Sequence, residues 1–178
     1  PNTVLLGWSE DPDRQGTFCE TLRLSKSLHR SILIVKCDEE RDRWTAPAGT
    51  VDIWWRGPKH GALAVLMAHL LVQSHEWRRR QIRILCTLPP KGDSENMALE
   101  LQELLGKARI EAGVHVFITD DPVWEIAKQT GESAVLFSDF TPPEEGEEKE
   151  FVDSIASLAQ IPIDMILVYN TGDVSLEA

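Results

Sequence analysis

At 178 residues, 42% of them hydrophobic and 26% charged, the chain is about one domain long and can bury a sizeable core, which excludes a disordered segment. Eighteen basic against 29 acidic residues give a formal net charge of −11, which argues against a body that binds nucleic acid. Cys19, Cys37 and Cys86 lie far apart with no CxxC pair, so neither a disulfide framework nor a zinc ribbon is indicated, and reduced thiols fit best.

No apolar run approaches the roughly 18 residues needed to span a bilayer, and no signal peptide is recognisable. The chain opens on Pro1-Asn2-Thr3 without a methionine and runs straight into a strand, as a piece of a longer protein would. Thr3 to Gly7 is a short apolar run of the kind expected for a strand buried on both faces. Asp11-Pro12-Asp13 then starts a helix with Phe18, Leu22, Ser25 and Leu28 at helical spacing. Ser31 to Val35 is a second strand and Thr50 to Trp55 a third. Ala62 to Val72 is a strongly apolar helix, and Gln81 to Leu85 a strand that starts polar and turns apolar. Glu95 to Ala112 is a long amphipathic helix, with Gly113 expected to close it. Val114 to Ile118 is a strand, Pro122 to Thr130 a short helix, and Ser133 to Phe137 another strand. Pro142-Pro143 is expected to start an acidic helix that runs to Ala159, its negative charge placed where a helix N-terminus favours it. Ile163 to Tyr169 is the last strand. Strands alternating with helices mean an α/β fold: a mainly parallel sheet with helices on both faces, spanning residues 1–178 as one domain.

In such a sheet ligands bind at the carboxyl ends of strands, so the loops there are where chemistry would lie. Gly7-Trp8-Ser9-Glu10-Asp11 lacks the GxGxxG that admits a pyrophosphate, and its acids would repel one. There is no GxxxxGK[ST] and no GxSxG. Gly131-Glu132-Ser133 is the nearest approach to a nucleotide signature, but a site like that of universal stress proteins needs further glycines upstream, and Val123 to Thr130 has none. His60, His69 and His75 are spaced by nine and six, not the three or four that puts two ligands on one helical face. Cys86 at a strand end could be a nucleophile, though buried thiols are common. Asp120-Asp121 is the best acid pair, with a helix cap before Pro122 as the simpler role. No catalytic, cofactor-binding or metal-binding set emerges.

Two clusters stand out. Arg78, Arg79 and Arg80 with Arg83 concentrate positive charge, either to complement a helix C-terminus and cap carbonyls or to meet anionic lipid or an acidic neighbour. Thr50-Val51-Asp52-Ile53-Trp54-Trp55 puts an acid and two adjacent tryptophans on one strand, which requires cover on both faces or a partner surface.

The tryptophan strand carries a resemblance. Pro1 to Trp8, then Val51-Asp52-Ile53-Trp54-Trp55 followed by a Gly-containing turn into a Leu-rich helix, then Trp77 and Ile82-Arg83-Ile84, resemble the C-terminal cytosolic domain of cation-chloride cotransporters. Leu104 to Ile110, Ser133 to Leu136 and Ile161 to Val168 agree, so the likeness runs nearly end to end. The short connection between Trp124 and Gly131 departs from animal members, which carry a long insertion there; it matches a compact prokaryotic relative or a chain with a loop removed. The family's cytosolic domain has two similar halves of universal-stress-protein-like topology, and the Pro-Asn-Thr opening marks the second. The resemblance therefore implies a regulatory and dimerising module on the cytosolic face of a transporter that moves chloride with potassium or sodium. Its partners would be its own transmembrane domain, the first cytosolic half and a second copy, with a further contact at the membrane surface. On this view Trp54 and Trp55 are structural, Asp52 accepts hydrogen bonds from a neighbouring loop, and Arg78 to Arg83 of one copy meet Glu144 to Glu150 of the other. Two alternatives stay open: a stand-alone nucleotide-binding stress protein, and a small α/β enzyme using Cys86 or Asp120 and Asp121.

Overall fold

The computed structural model describes residues 2–38, 47–159 and 161–176. Its elements in chain order are β1 (Thr3–Gly7), α1 (Pro12–Ser27), β2 (Ser31–Lys36), β3 (Thr50–Trp55), α2 (Pro58–Gln73), β4 (Ile82–Leu88), α3 (Ser94–Ala108), β5 (Gly113–Ile118), α4 (Pro122–Gln129), β6 (Ser133–Asp139), α5 (Glu148–Ala159) and β7 (Asp164–Tyr169). All seven strands join one sheet in the order β1-β2-β7-β6-β3-β4-β5. β3 to β7 are mutually parallel, with β3 in the middle and the chain winding outward from it in both directions. β1 and β2 are parallel to each other, but β2 runs antiparallel to β7, so this pair is appended to the parallel unit in the reverse direction.

Local chemistry fixes the helix starts. Pro12, Pro58 and Pro122 each stand in a first turn, where the missing N–H costs nothing. The Asp11, Asp93 and Asp121 carboxylates accept N–H bonds from Asp13, Asn96 and Trp124, each at 3.0 Å. On one face of the sheet Leu22 of α1, Ile126 of α4 and Phe151 and Ile155 of α5 cover Ile32, Trp54, Leu136 and Met165. On the other, Leu63 and Val65 of α2 and Leu101 and Leu105 of α3 cover Ile53, Trp55, Ile84 and Phe137.

Three expectations are corrected. The amphipathic helix α3 ends at Ala108, not at Ala112. Arg109 takes a left-handed conformation, φ 57°, and the Ile110 N–H returns to the Leu105 carbonyl at 3.0 Å. That turn drops Ile110 into the core, and Gly113 is the first residue of β5 instead of a helix cap. The acidic helix starts at Glu148, because Pro142, Pro143 and Gly146, at φ 92°, hold the preceding segment in a turn. β1 is not buried on both faces: it is an edge strand whose Thr3, Leu5 and Gly7 are exposed, Leu5 by 67%.

Candidate functional site

The point where the parallel sheet reverses its winding lies between β3 and β6, and a crevice at the carboxyl ends of those strands is where this architecture places ligands. Here Arg56, just past β3, bridges to Asp139 at the end of β6. Its Nε donates to Oδ1 and its second guanidinium nitrogen to the Asp139 carbonyl at 3.1 Å. The same guanidinium lies 4.9 Å above the Trp54 ring. Trp54 is 4% exposed and its indole N–H donates to Thr87 Oγ1 at 3.1 Å, which satisfies the one polar atom on the ring. Trp55 is 6% exposed on the opposite face and packs against Gly61 in the first turn of α2. A Cβ at Gly61 would stand 2.4 Å from the Trp55 ring, so only glycine allows this approach.

Asp52 is wholly buried on the Trp54 face of β3. Its carboxylate accepts two bonds from Arg83 on the adjacent strand, one from Nε at 2.8 Å, and a third from the Ser133 hydroxyl at the start of β6. Arg83 also donates to the Gln129 carbonyl at the end of α4, at 3.1 Å. The carboxylate raises the Arg83 pKa against the opposing effect of its burial. The cluster thus ties β3, β4, β6 and α4 together at the amino end of the sheet, and its donors come from a strand and a strand start, not from a loop.

The remaining arginines separate from it. α2 ends at Gln73 with no basic residue in its last turn, so the cluster does not complement that helix end. Arg80 caps carbonyls instead: those of Pro47, at 2.8 and 3.1 Å, and of Glu76, at 2.6 Å, while stacking 4.8 Å from the Trp77 ring centroid. Arg78 and Arg79 are exposed, the latter at φ 73° in the turn. Of the acids at 144–150, Glu144 is held by Lys26 and Glu148 by Arg23 at 2.6 Å.

Two clefts open at the carboxyl end. One, of about 490 Å³, is floored by Trp54, Phe140, Phe151 and Ile155 and bordered by Asp139, Glu147 and Glu150. The other, of about 440 Å³, lies on the Trp55 face beside Met97, Leu101 and Cys86. The loop after β6, Phe140-Thr141-Pro142-Pro143-Glu144, offers two residues without an N–H and then an acid, a poor cradle for phosphate. Burial pushes the Cys86 thiol up, away from the thiolate a nucleophile needs. Asp121 is spent on the α4 cap. Among the described residues no three His, Cys, Asp or Glu side chains are grouped to hold a metal.

The residues that join the crevice to the chain end did not stand out in the sequence. Asn170 is fully buried and donates to the carbonyls of Lys59, at 2.6 Å, and Val174, at 2.8 Å, while its own N–H donates to His60 Nδ1 at 3.0 Å. Burial lowers the His60 pKa, and the Nδ1 acceptor role requires the neutral ring. Only their position, one at a strand end and one at a helix start, gives a sequence signal. Arg56 and Asp139 are equally ordinary until the strand order is known.

A family model described as solute carrier family 12 matches residues 20–161. A potassium/chloride cotransporter 3 of Caenorhabditis elegans is 30% identical over 75% of this chain, and a cation-chloride cotransporter 2 of Oryza sativa is 24% identical over 65%. The chain spans only 13% and 12% of those relatives. The crystal structure of the cytoplasmic domain of a prokaryotic cation chloride cotransporter superposes with a TM-score of 0.75, at 16% identity, over 99% of this chain and 66% of that one. A universal stress protein of Archaeoglobus fulgidus follows the same fold with a TM-score of 0.61, at 15% identity, over 97% of this chain and 62% of that one.

Proposed function

Because the chain belongs to solute carrier family 12, we propose that it is the second half of the cytosolic regulatory and dimerising domain of a secondary transporter that moves chloride together with potassium, sodium or both. The family match over residues 20–161 carries this reading. The relatives' names support chloride with potassium or another cation, and the cotransporter cytoplasmic domain of the same fold supports a location on the cytoplasmic face. Among the described residues no helix is long and apolar enough to cross a membrane, so the membrane-spanning and ion-binding parts are assigned to other stretches of the full protein.

The site chemistry agrees with a module that works by contact and not by catalysis. Asp52 and Arg83 are consumed by each other, Asp121 by a helix cap, and Cys86 by burial. Exposed groups of opposite sign stand at the two ends of the sheet, among them Arg78 and Arg79 at the amino end and Glu147 and Glu150 at the carboxyl end. We assign Arg78 and Arg79 to contact with the membrane surface or the first cytosolic half, and the meeting of these arginines with the acids at 144–150 of a second copy to self-association. A chain of −11 repels its own copy at long range, so self-association needs such mixed-sign patches. Tethering in a membrane supplies an effective concentration of about millimolar, which rescues a contact too weak for dilute solution.

Sedimentation at about millimolar protein, the concentration that tethering mimics, tests the dimerising role. A weak dimer that Arg79→Glu loosens is the expected result, and a strict monomer would remove self-association from the proposal. The stress-protein alternative is separated by melting with ATP or ADP: binding at about 100 times Kd would stabilise the fold by about 2.7 kcal/mol.

A further inference from the structure

The cleft floored by Trp54, Phe140 and Phe151 is bordered by two carboxylates that have no counter-ion among the described residues. In the segment that borders it, Glu144 is paired with Lys26 and Glu148 with Arg23, both on α1. Glu147 and Glu150 line the cleft itself and form no ion pair among the described residues; Glu147 accepts only the Glu144 N–H, at 3.1 Å. The floor is aromatic and apolar, Val123 on its lining is 37% exposed, and the next residue in the chain, Trp124, is 59% exposed. Single exposed apolar residues need no explanation, but a tryptophan beside an apolar cleft extends one contiguous surface.

Trp54 in the floor and Trp124, next in the chain to the lining residue Val123, each hold a cation on the ring face. Arg56 stands 4.9 Å from the Trp54 centroid, and the Lys128 amine 5.1 Å from that of Trp124. The protein's own side chains therefore show which charge this surface accepts. Of the charges that line the cleft, Arg56 and Asp139 neutralise each other, which leaves Glu147 and Glu150 to repel a phosphate or an anionic lipid head. We propose that this cleft docks a basic polypeptide segment with interleaved apolar side chains. Its arginine or lysine heads meet Glu147 and Glu150, while a leucine or phenylalanine enters between Val123, Phe140 and Phe151. The volume of about 490 Å³ suits a few such side chains, and a polypeptide offers both chemistries at side-chain spacing. The inference goes beyond the transporter reading and is measured on the chain in solution, so neither outcome depends on transport.

The test is calorimetric titration of the 178-residue chain with a short acetylated peptide of alternating arginine and leucine. Its controls are the same peptide with citrulline in place of arginine, and the variant Glu147→Gln/Glu150→Gln. Both glutamates are exposed, so the variant is expected to melt like the parent. Expected are saturable binding to the parent, binding weakened about fivefold to tenfold by the variant, a similar loss with citrulline, and perturbation of the Trp54 indole resonance. Equal binding of the citrulline peptide, equal binding by the variant, no binding at millimolar peptide, or a perturbation confined to residues elsewhere would each overturn the proposal.

Discussion

Trp54 and Trp55 are neighbours in sequence and belong to different cores. Alternation along β3 sends one ring under α5 and the other under α2, so each anchors the central strand to a separate helical layer. Removing either ring leaves a large cavity next to Gly61 or Phe140, and Trp54→Ala and Trp55→Ala are each expected to cost roughly 3–5 kcal/mol in urea unfolding. A loss below about 1 kcal/mol at both sites, with weakened self-association instead, would make the pair an interface. His60 gives a pH dependence with a defined sign. Its folded pKa is depressed, chiefly by burial, with Asp139 opposing and Lys59 and Arg56 reinforcing the shift. The unfolded chain takes up a proton near pH 6.5 while the folded ring resists, so stability is full above that pH and falls as pH drops towards the lowered folded value. Melting temperatures between about pH 7.5 and 5.5 should therefore decline, and His60→Gln should flatten part of that decline. An identical slope in the variant would remove His60 as a contributor.

At the scale of elements, the period of the apolar residues located nearly every helix and strand, but the ends were decided by contacts that the period does not encode. Arg109 adopts a left-handed turn because Ile110 gains burial by leaving the helix early, and nothing in Gly113 itself reveals that the turn has already been made. Thr3 to Gly7 has the composition of a central strand, and only the sheet order shows that it sits at an edge with Leu5 exposed. Helix α2 meets β3 through a glycine that composition alone would mark as a defect in the helix. Gly61→Ala forces a Cβ into the Trp55 ring and is expected to destabilise by about 1–3 kcal/mol. Gly106→Ala, in α3 with nothing within 4 Å of the new Cβ, should instead stabilise by about 0.5–1 kcal/mol. Thermal unfolding of the two variants checks both signs, and a stabilised Gly61→Ala would show that the ring does not hold its place.

Across the whole molecule, β3 to β7 form a parallel unit wound outward from β3, and β1 and β2 extend it in the reverse direction. The alternation of elements announced the α/β sheet. The antiparallel junction with β7 was not legible, because direction depends on which edge receives the pair. The same applies to the site: Asp52, Trp54 and Trp55 were visible as unusual residues on a strand, whereas Arg56 and Asp139 acquire meaning only as the two sides of the crevice. The proposed function puts this unit beside a chloride-moving machine, and that consequence is measurable. Chloride-dependent uptake of potassium or sodium should be measured in vesicles holding the full gene product, with and without the segment that corresponds to this chain. Uptake that requires chloride, and whose rate changes when the segment is removed while the protein stays in the membrane, is the predicted result. Uptake indifferent to chloride, or unaltered by the removal, would contradict the proposal that this chain is the regulatory part of a chloride cotransporter.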